Sequence, residues 1–204
     1  EILTHIGHSE KVFFMRVFLS LLILILSLQS WTKADDIRDF EIEGISIGDS
    51  LLDYYSTDEI NNNIDPNVNK NTDGKFKLAG FYRKFGEFDG MQFAFKANDK
   101  KFLIHSINGG IFYSNIDECK KKMKSISKEI SQLFKDAKTN LDLKQLHPVD
   151  KSNESYAIAD IYFLDTGSVS IRCTNWSEEI TKKYNWSDNL RVGVKSKEYN
   201  EWLE

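Results

Sequence analysis

The chain has little of the residue chemistry on which most catalytic and metal sites depend. Its 204 residues include only four histidines and two cysteines. No C-x-x-C pair is present, which excludes thioredoxin-like redox chemistry. Neither His105 nor His147 has a second ligand at metal-binding spacing, so the sequence predicts no zinc site and no cofactor.

An excess of positive charge is also absent. Lysine and arginine total 27 against 31 aspartates and glutamates, which gives a formal net charge of −4 at pH 7. A balance of this sign argues against a general polyanion binder. We therefore expect no nucleic-acid partner.

The main apolar run is too short to span a bilayer. It covers residues 17–28, whereas a membrane helix needs roughly 20 residues. The run follows Met15 and a single arginine, and residues 32–34 offer a small-x-small cleavage site, which together are typical of a secretory signal peptide. We predict an upstream segment over 1–14, a cleaved signal over 15–34, and a single periplasmic or secreted domain over 35–204 with no stable membrane span.

The only two cysteines, Cys119 and Cys173, both lie in the predicted exported part. An oxidising compartment permits a disulfide between them. In the chain-entropy treatment, closing this loop stabilises the fold by about 4 kcal/mol. The alternative is a pair of buried free thiols.

Strand-like alternation dominates the exported part. Residues 75–113 alternate apolar and polar side chains in three short runs, which predicts an antiparallel meander. Residues 156–164 and 168–173 predict a hairpin, and 190–195 predict a final strand. The segment around Pro148 is predicted as a loop.

Helical spacing is clearest from Asn115 to about Lys138, where apolar residues recur at intervals of three and four. Asn115 and Glu118 there match a capping box. Further caps predict shorter helices starting at Ser50, at Ser56 with Glu59, near 178–184 and after Ser196. The predicted class is α+β, an antiparallel sheet of a meander plus a hairpin, with the long amphipathic helix and the shorter helices packed on one face.

The tetrad over residues 48–51 reads Gly-Asp-Ser-Leu. It resembles the first block of the GDSL (SGNH) hydrolases, which implies that Ser50 is an esterase nucleophile. The later blocks of that family do not match, because residues 108–110 depart from Gly-x-Asn-Asp and Lys144 stands three before His147 in place of aspartate. Consecutive hairpins also differ from that family's parallel sheet. Since a serine without a base is a poor nucleophile, the preferred interpretation is that Ser50 caps a helix.

Asp165 begins the sequence Asp-Thr-Gly-Ser, which resembles the active-site turn of the retropepsin-like aspartic proteases. This resemblance implies that two subunits each contribute one Asp165 to a catalytic pair. That family also needs a flap and a later apolar pair followed by glycine. Only 26 residues separate Gly167 from Gly193, and Arg191 stands where an apolar residue is expected. The alternative is a hairpin turn with Gly167 at positive φ.

Trp176 and Trp186 each lie in an Asn-Trp-Ser sequence, and Trp202 follows them. If they are exposed together, Trp176 and Trp186 form a binding platform for sugar rings or another apolar ligand. The alternative is that the tryptophans anchor the C-terminal elements on the core.

The signal, the Gly-Asp-Ser-Leu-Leu helix start, the cysteine-bearing helix and the late hairpin together resemble small exported proteins of marine alphaproteobacteria. This resemblance implies a location and no activity. Because no catalytic set is complete, we expect a non-enzymatic envelope protein that binds a protein or a small ligand. The alternatives are an esterase that uses Ser50 and a protease that uses Asp165.

Overall fold

The computed structural model describes residues 36–66 and 73–204. The predicted upstream segment and signal peptide lie outside the described residues. Within the described ranges, none of the helices has the length and apolar content of a membrane span. In chain order the helices and strands are β1 (Glu41–Ile42), β2 (Ile45–Ser46), α1 (Thr57–Asn62), β3 (Phe76–Phe81), β4 (Gly90–Lys96), β5 (Ile104–Tyr113), α2 (Ile116–Leu133), β6 (Lys138–Leu146), β7 (Tyr156–Leu164), β8 (Gly167–Asn175), α3 (Glu178–Tyr184), β9 (Asp188–Ser196) and α4 (Lys197–Leu203).

Seven of the strands form one antiparallel sheet in the order β3-β4-β5-β9-β8-β7-β6. Two three-stranded meanders, β3 to β5 and β6 to β8, are joined by the last strand, which pairs with β5 on one side and β8 on the other. The predicted α+β class is confirmed. Because the joining strand comes last in the chain, the two meanders form one sheet only when β9 is in place.

One face of the sheet is buried under α2, and we call it the covered face. On β8 this face carries Val169, Ile171 and Cys173, which are fully buried. Their cross-strand partners on β9 are the buried residues Val194, Val192 and Leu190. Burying a side chain of this size contributes roughly 1.5 to 3 kcal/mol, so this face supplies the main core.

Helix α2 begins as predicted but ends earlier. The Asn115 side chain caps the helix by accepting a hydrogen bond from the Asp117 amide at 2.8 Å. The predicted capping box is wrong, because the side chain bonds this amide and not that of Glu118. The predicted end near Lys138 is also wrong, because the helix stops at Leu133. The ring of Phe134 instead packs in the core, and this burial draws the chain out of the helix.

The predicted loop around Pro148 is present between β6 and β7, but the edge strand β6 over Lys138–Leu146 was not predicted. Nearly every residue of this strand is exposed, so no buried positions produce an alternating pattern. The pairing with β7 also shifts register between Asn140 and Leu143, and Asp142 has φ of 52°. A bulge on an edge strand twists the strand away from pairing with other chains. Here the bulge also interrupts the alternation of side chains by which a strand is predicted from sequence.

Helix α4 packs on the second face of the sheet, opposite α2, whereas the prediction placed the long helix and the shorter helices on one face. The ring of Tyr199 lies 5.1 Å from that of Phe76, and Trp202 packs on the same phenylalanine at 5.2 Å. Asn200 also forms a hydrogen bond with the Ser168 hydroxyl. The side chains of Phe76 and Ser168 both point away from α2 by strand alternation. This helix therefore covers one end of the second face and leaves the rest open.

The predicted disulfide is confirmed. Cys119 on α2 and Cys173 on β8 are bonded to each other, and both are fully buried. The bond joins residues 54 positions apart in the chain and fastens the long helix to the centre of the sheet.

The loop after β6 is held by the carboxylate of Asp150. This carboxylate accepts hydrogen bonds from the amides and hydroxyls of Ser152 and Ser155. These bonds hold the pKa of Asp150 well below its usual range. Because the folded pKa lies below the unfolded one, the stabilisation is present above the unfolded pKa of about 3.9 and is lost as pH falls through the folded pKa.

We therefore expect Asp150→Asn to be less stable than the parent at pH 7 and to lose less stability between pH 7 and pH 3. Urea unfolding at the two pH values measures this difference. Glu154→Gln removes one negative charge from an exposed position of the same loop and serves as the control. An equal acid-induced loss in the parent and in Asp150→Asn would contradict the expectation.

Candidate functional site

Ser50 uses its hydroxyl to organise the backbone. Its Oγ donates to the carbonyl oxygen of Lys101 at 2.6 Å and accepts from the Leu52 amide at 3.1 Å, where it caps a single 3-10 turn over Leu51–Asp53. In the described part of the chain, neither histidine is hydrogen-bonded to Ser50. His105 instead contacts the Ser196 hydroxyl, and His147 lies beside Trp176.

Asp165 lies exposed in the two-residue connection between β7 and β8, which confirms the predicted hairpin. The predicted positive φ of Gly167 is wrong, because Gly167 is not among the described glycines whose φ is positive. A Cβ atom at position 167 would instead stand 2.1 Å from the carbonyl oxygen of Lys195. The glycine is needed for close approach of two strands and not for the turn itself.

The described residues contain no group of three or more histidine, cysteine, aspartate or glutamate side chains placed to hold a metal ion. The ring of His105 lies 5.2 Å from the ring of Phe76, on which α4 packs, and its Nδ1 lies 3.2 Å from the Ser196 hydroxyl oxygen. Burial lowers the pKa of His105. A neutral imidazole packed in this way contributes to the attachment of α4.

Polar side chains converge on the open part of the second sheet face, and we call it the polar face. Antiparallel pairing places Arg172 of β8 directly opposite Arg191 of β9. In the same row, Gly110 of β5 lies opposite Arg191 and Gly90 of β4 lies opposite Gly110. The row therefore combines two guanidinium groups with a floor that has no side chains.

The positive charge on this face is not neutralised by the protein. Arg172 and Arg191 are exposed, and Lys195 is half-buried. Among the residues that the structure describes, none of these three cations pairs with a carboxylate. Although Arg172 as a whole is exposed, partial desolvation and then the charge of Arg191 lower its pKa, while burial and then Arg172 lower the pKa of Lys195. Like charges held together in this way favour an anion between them.

A pocket of about 80 Å³ lies beside the arginine row. Asn189, which is 8% exposed, is one of its lining residues. Its Nδ2 donates to the Ser187 carbonyl at 3.0 Å, while its buried Oδ1 has no hydrogen-bond partner in the described residues. The other lining residues are Tyr82, Gly90, Met91, Gln92, Asn108, Gly109, Gly110, Phe112 and Arg191.

An aromatic cluster continues the polar face beyond the ends of β8 and β9. Trp176 and Trp186 have ring centroids 4.7 Å apart, and Tyr184 stacks on Trp186 at 4.8 Å. Trp186 is 38% exposed and Tyr184 is 41% exposed. The ring of His147 lies 4.4 Å from Trp176. We call these four residues the aromatic cluster.

The cluster and the arginine row are parts of one surface. Trp176 follows the end of β8 directly, and its neighbour His147 lies near enough to the arginine row to feel the charges of Arg172 and Arg191. Burial lowers the pKa of His147, and the charges of Arg172 and Arg191 lower it further. Trp202 does not belong to this surface, because it packs with Phe76 and Tyr199 at the α4 end.

The fold brings together Trp176 and Trp186, which were predicted as a pair, whereas the two arginines were not predicted as site residues. A signal for the arginines is present, since Ser168, Ser170, Arg172 and Thr174 are the polar alternate positions of β8. The sequence alone does not predict the register that places Arg172 opposite Arg191, because this register depends on which strands become neighbours in the sheet.

The fold and this surface together define an α+β domain with one open, polar sheet face. No family model, no curated protein and no solved structure matches the chain. The function of the surface therefore has to be inferred from its own residues.

Proposed function

We propose that the protein is a non-enzymatic binding module of the cell envelope and that its polar face binds an anionic ligand. The observation that carries this proposal is the pairing of Arg172 with Arg191 on adjacent strands without a carboxylate partner in the described residues. Two like charges directly opposite each other destabilise a sheet. A bound anion removes this repulsion, so the arrangement favours a ligand with a carboxylate or a phosphate group.

The envelope location rests on the predicted signal peptide and on the resemblance to exported proteins. The disulfide between Cys119 and Cys173 agrees with an oxidising compartment. A binding role agrees with the local use of Ser50, whose hydroxyl donates to the Lys101 carbonyl and caps a turn, and with the position of Asp165 in an exposed hairpin connection.

The net charge of −4 does not conflict with anion binding. The positive charge is local, and the pocket beside it is small. Acidic side chains elsewhere repel long polyanions, while a compact anion can enter between the two guanidinium groups. The proposal is therefore for a small anionic group and not for a nucleic acid.

The test is a titration of the purified protein with phosphate, sulfate and acetate, followed through the NMR signals of the arginine side-chain Nε–H groups. We expect saturable shifts for Arg172 and Arg191 at constant ionic strength. Arg172→Gln should weaken binding about tenfold, since a charge-assisted hydrogen bond contributes about 1.5 to 3 kcal/mol.

Lys124→Gln is the matched control, because it removes an exposed positive charge from α2 on the opposite side of the sheet. This variant should bind the three anions as the parent does. Shifts that chloride reproduces at the same concentration, or affinities that Arg172→Gln leaves unchanged, would show that the polar face is not an anion site.

A further inference from the structure

The arginine pair, Asn189 and the aromatic cluster follow one another along β8 and β9. The pair Arg172 and Arg191 occupies one row, and the next row on this face pairs Thr174 with Asn189. Trp176 is the next residue of the same parity and lies just beyond the end of β8. A ligand that follows the strands from the arginines therefore meets Asn189 and then the tryptophans.

Asn189 indicates what such a ligand carries beside its anionic group. Its buried Oδ1 accepts no hydrogen bond from the described residues. The assignment of this oxygen follows from the other half of the amide, because Nδ2 donates to the Ser187 carbonyl at 3.0 Å and an exchanged oxygen would face that carbonyl oxygen. A buried acceptor without a donor is costly, so a ligand hydroxyl or amide N–H fits this position.

The aromatic cluster indicates a ring with an apolar face. Trp186 and Tyr184 stack with an interplanar angle of 24° and keep about two fifths of their surface exposed. Rigid aromatic rings of this kind offer a large apolar contact area at low cost in side-chain entropy. A sugar ring combines an apolar face of C–H groups with hydroxyl donors at its edge, and it satisfies both the cluster and Asn189.

The spacing sets the length of the ligand. Arg172 and Trp176 are four residues apart, and the chain between them is strand as far as Asn175, which separates their Cα atoms by about 13 Å. A single sugar ring is too short to contact both. Two or more linked rings can reach from the guanidinium groups to the tryptophans.

We infer that the polar face binds an acidic oligosaccharide, with a carboxylate between Arg172 and Arg191, a hydroxyl on Asn189 Oδ1 and a neighbouring sugar ring on Trp176 and Trp186. This inference rests on the proposed anion binding and names its ligand class. Because it adds a second contact region, it predicts properties that a simple anion site does not have.

The experiment compares trigalacturonate, its fully methyl-esterified form and monomeric galacturonate by calorimetry and by tryptophan fluorescence. We expect the trimer to bind at least tenfold more tightly than the monomer, and the neutral ester at least tenfold more weakly than the trimer. The fluorescence of the parent should change on binding the trimer, since the ring contacts Trp176 and Trp186.

Trp186→Ala should lower trimer affinity at least fivefold and leave the affinity for acetate unchanged. Trp202→Phe changes a tryptophan in the separate cluster at α4 and serves as the control, with trimer affinity equal to that of the parent. If Trp186→Ala lowers the melting temperature strongly, Tyr184→Ala removes a more exposed ring of the same cluster and gives the same reading.

The outcomes separate this inference from the proposed function. Acetate binding at Arg172 without any gain for the trimer would overturn the oligosaccharide inference and leave the anion site intact. Equal binding of the trimer and its neutral ester would also overturn it. Tighter binding of a six-residue thymidine oligonucleotide than of the trimer would show that the ligand is single-stranded nucleic acid and not an acidic oligosaccharide. If the parent binds none of the anions, both proposals are wrong.

Discussion

Replacing both Cys119 and Cys173 with alanine is expected to lower the free energy of unfolding by about 4 kcal/mol. The two sulfur atoms close a loop between positions 54 residues apart, and the entropy that such a loop removes from the unfolded chain corresponds to this value. Guanidinium unfolding of the oxidised parent and of the double variant measures the difference. A loss of this size is a large fraction of the stability of a domain of this size.

The reduced parent provides the control for the first prediction. A thiol reductant should lower the stability of the parent to nearly the level of the double variant and should leave the double variant unchanged. Since both cysteines are fully buried, reduction requires prior unfolding, so the parent has to be reduced in denaturant and refolded. A difference below 1 kcal/mol between oxidised and reduced protein would contradict the loop-closure explanation.

Gly167→Ala is expected to destabilise the fold by about 3 kcal/mol. A Cβ atom at this position would stand 2.1 Å from the carbonyl oxygen of Lys195 and 3.2 Å from the side chain of Ile37. The nearest obstacle is backbone, so β8 and β9 have to separate where Gly167 pairs with Ser196. Overpacking of this kind costs about 1 to 3 kcal/mol, and the upper end applies when the backbone has to move.

Gly110→Ala is the matched control for this second prediction. Gly110 also lies in a strand of the same sheet, but a Cβ atom there meets nothing closer than 4.0 Å. Both substitutions restrict the unfolded chain equally, so the difference between them reports the contact with the Lys195 carbonyl. Urea unfolding should place Gly110→Ala within 1 kcal/mol of the parent. Equal losses in the two variants would show that the close approach at residue 167 carries no energetic weight.

Capping residues in the sequence correctly predicted the short helices, because the start of a helix depends on residues close to it in the chain. The capping box of Ser56 and Glu59 is present with both of its hydrogen bonds, and Ser196 caps α4 through the Tyr199 amide. Helix α3 spans the predicted residues 178–184. A cap needs only residues three or four positions apart, and such contacts form in any context that permits the helix.

The errors share a different cause. The end of α2 depends on the burial of Phe134, and the pattern of β6 is lost because this edge strand buries almost nothing. Gly167 has no unusual φ and is required by a strand 28 residues away. In each case the deciding contact comes from a residue distant in the chain, and periodicity contains no information about it.

Some residues of the candidate site could be predicted from the sequence, and others are brought together only by the fold. Trp176 and Trp186 were recognisable as an unusual pair from their spacing, and the cysteines from their isolation in an exported segment. The alignment of Arg172 with Arg191 and the vacant acceptor on Asn189 arise from β9 pairing between β5 and β8. Composition and spacing report which side chains are present and which neighbours they have along the chain. Strand order and register decide which of them share a surface, because an antiparallel sheet brings together residues that are far apart in sequence.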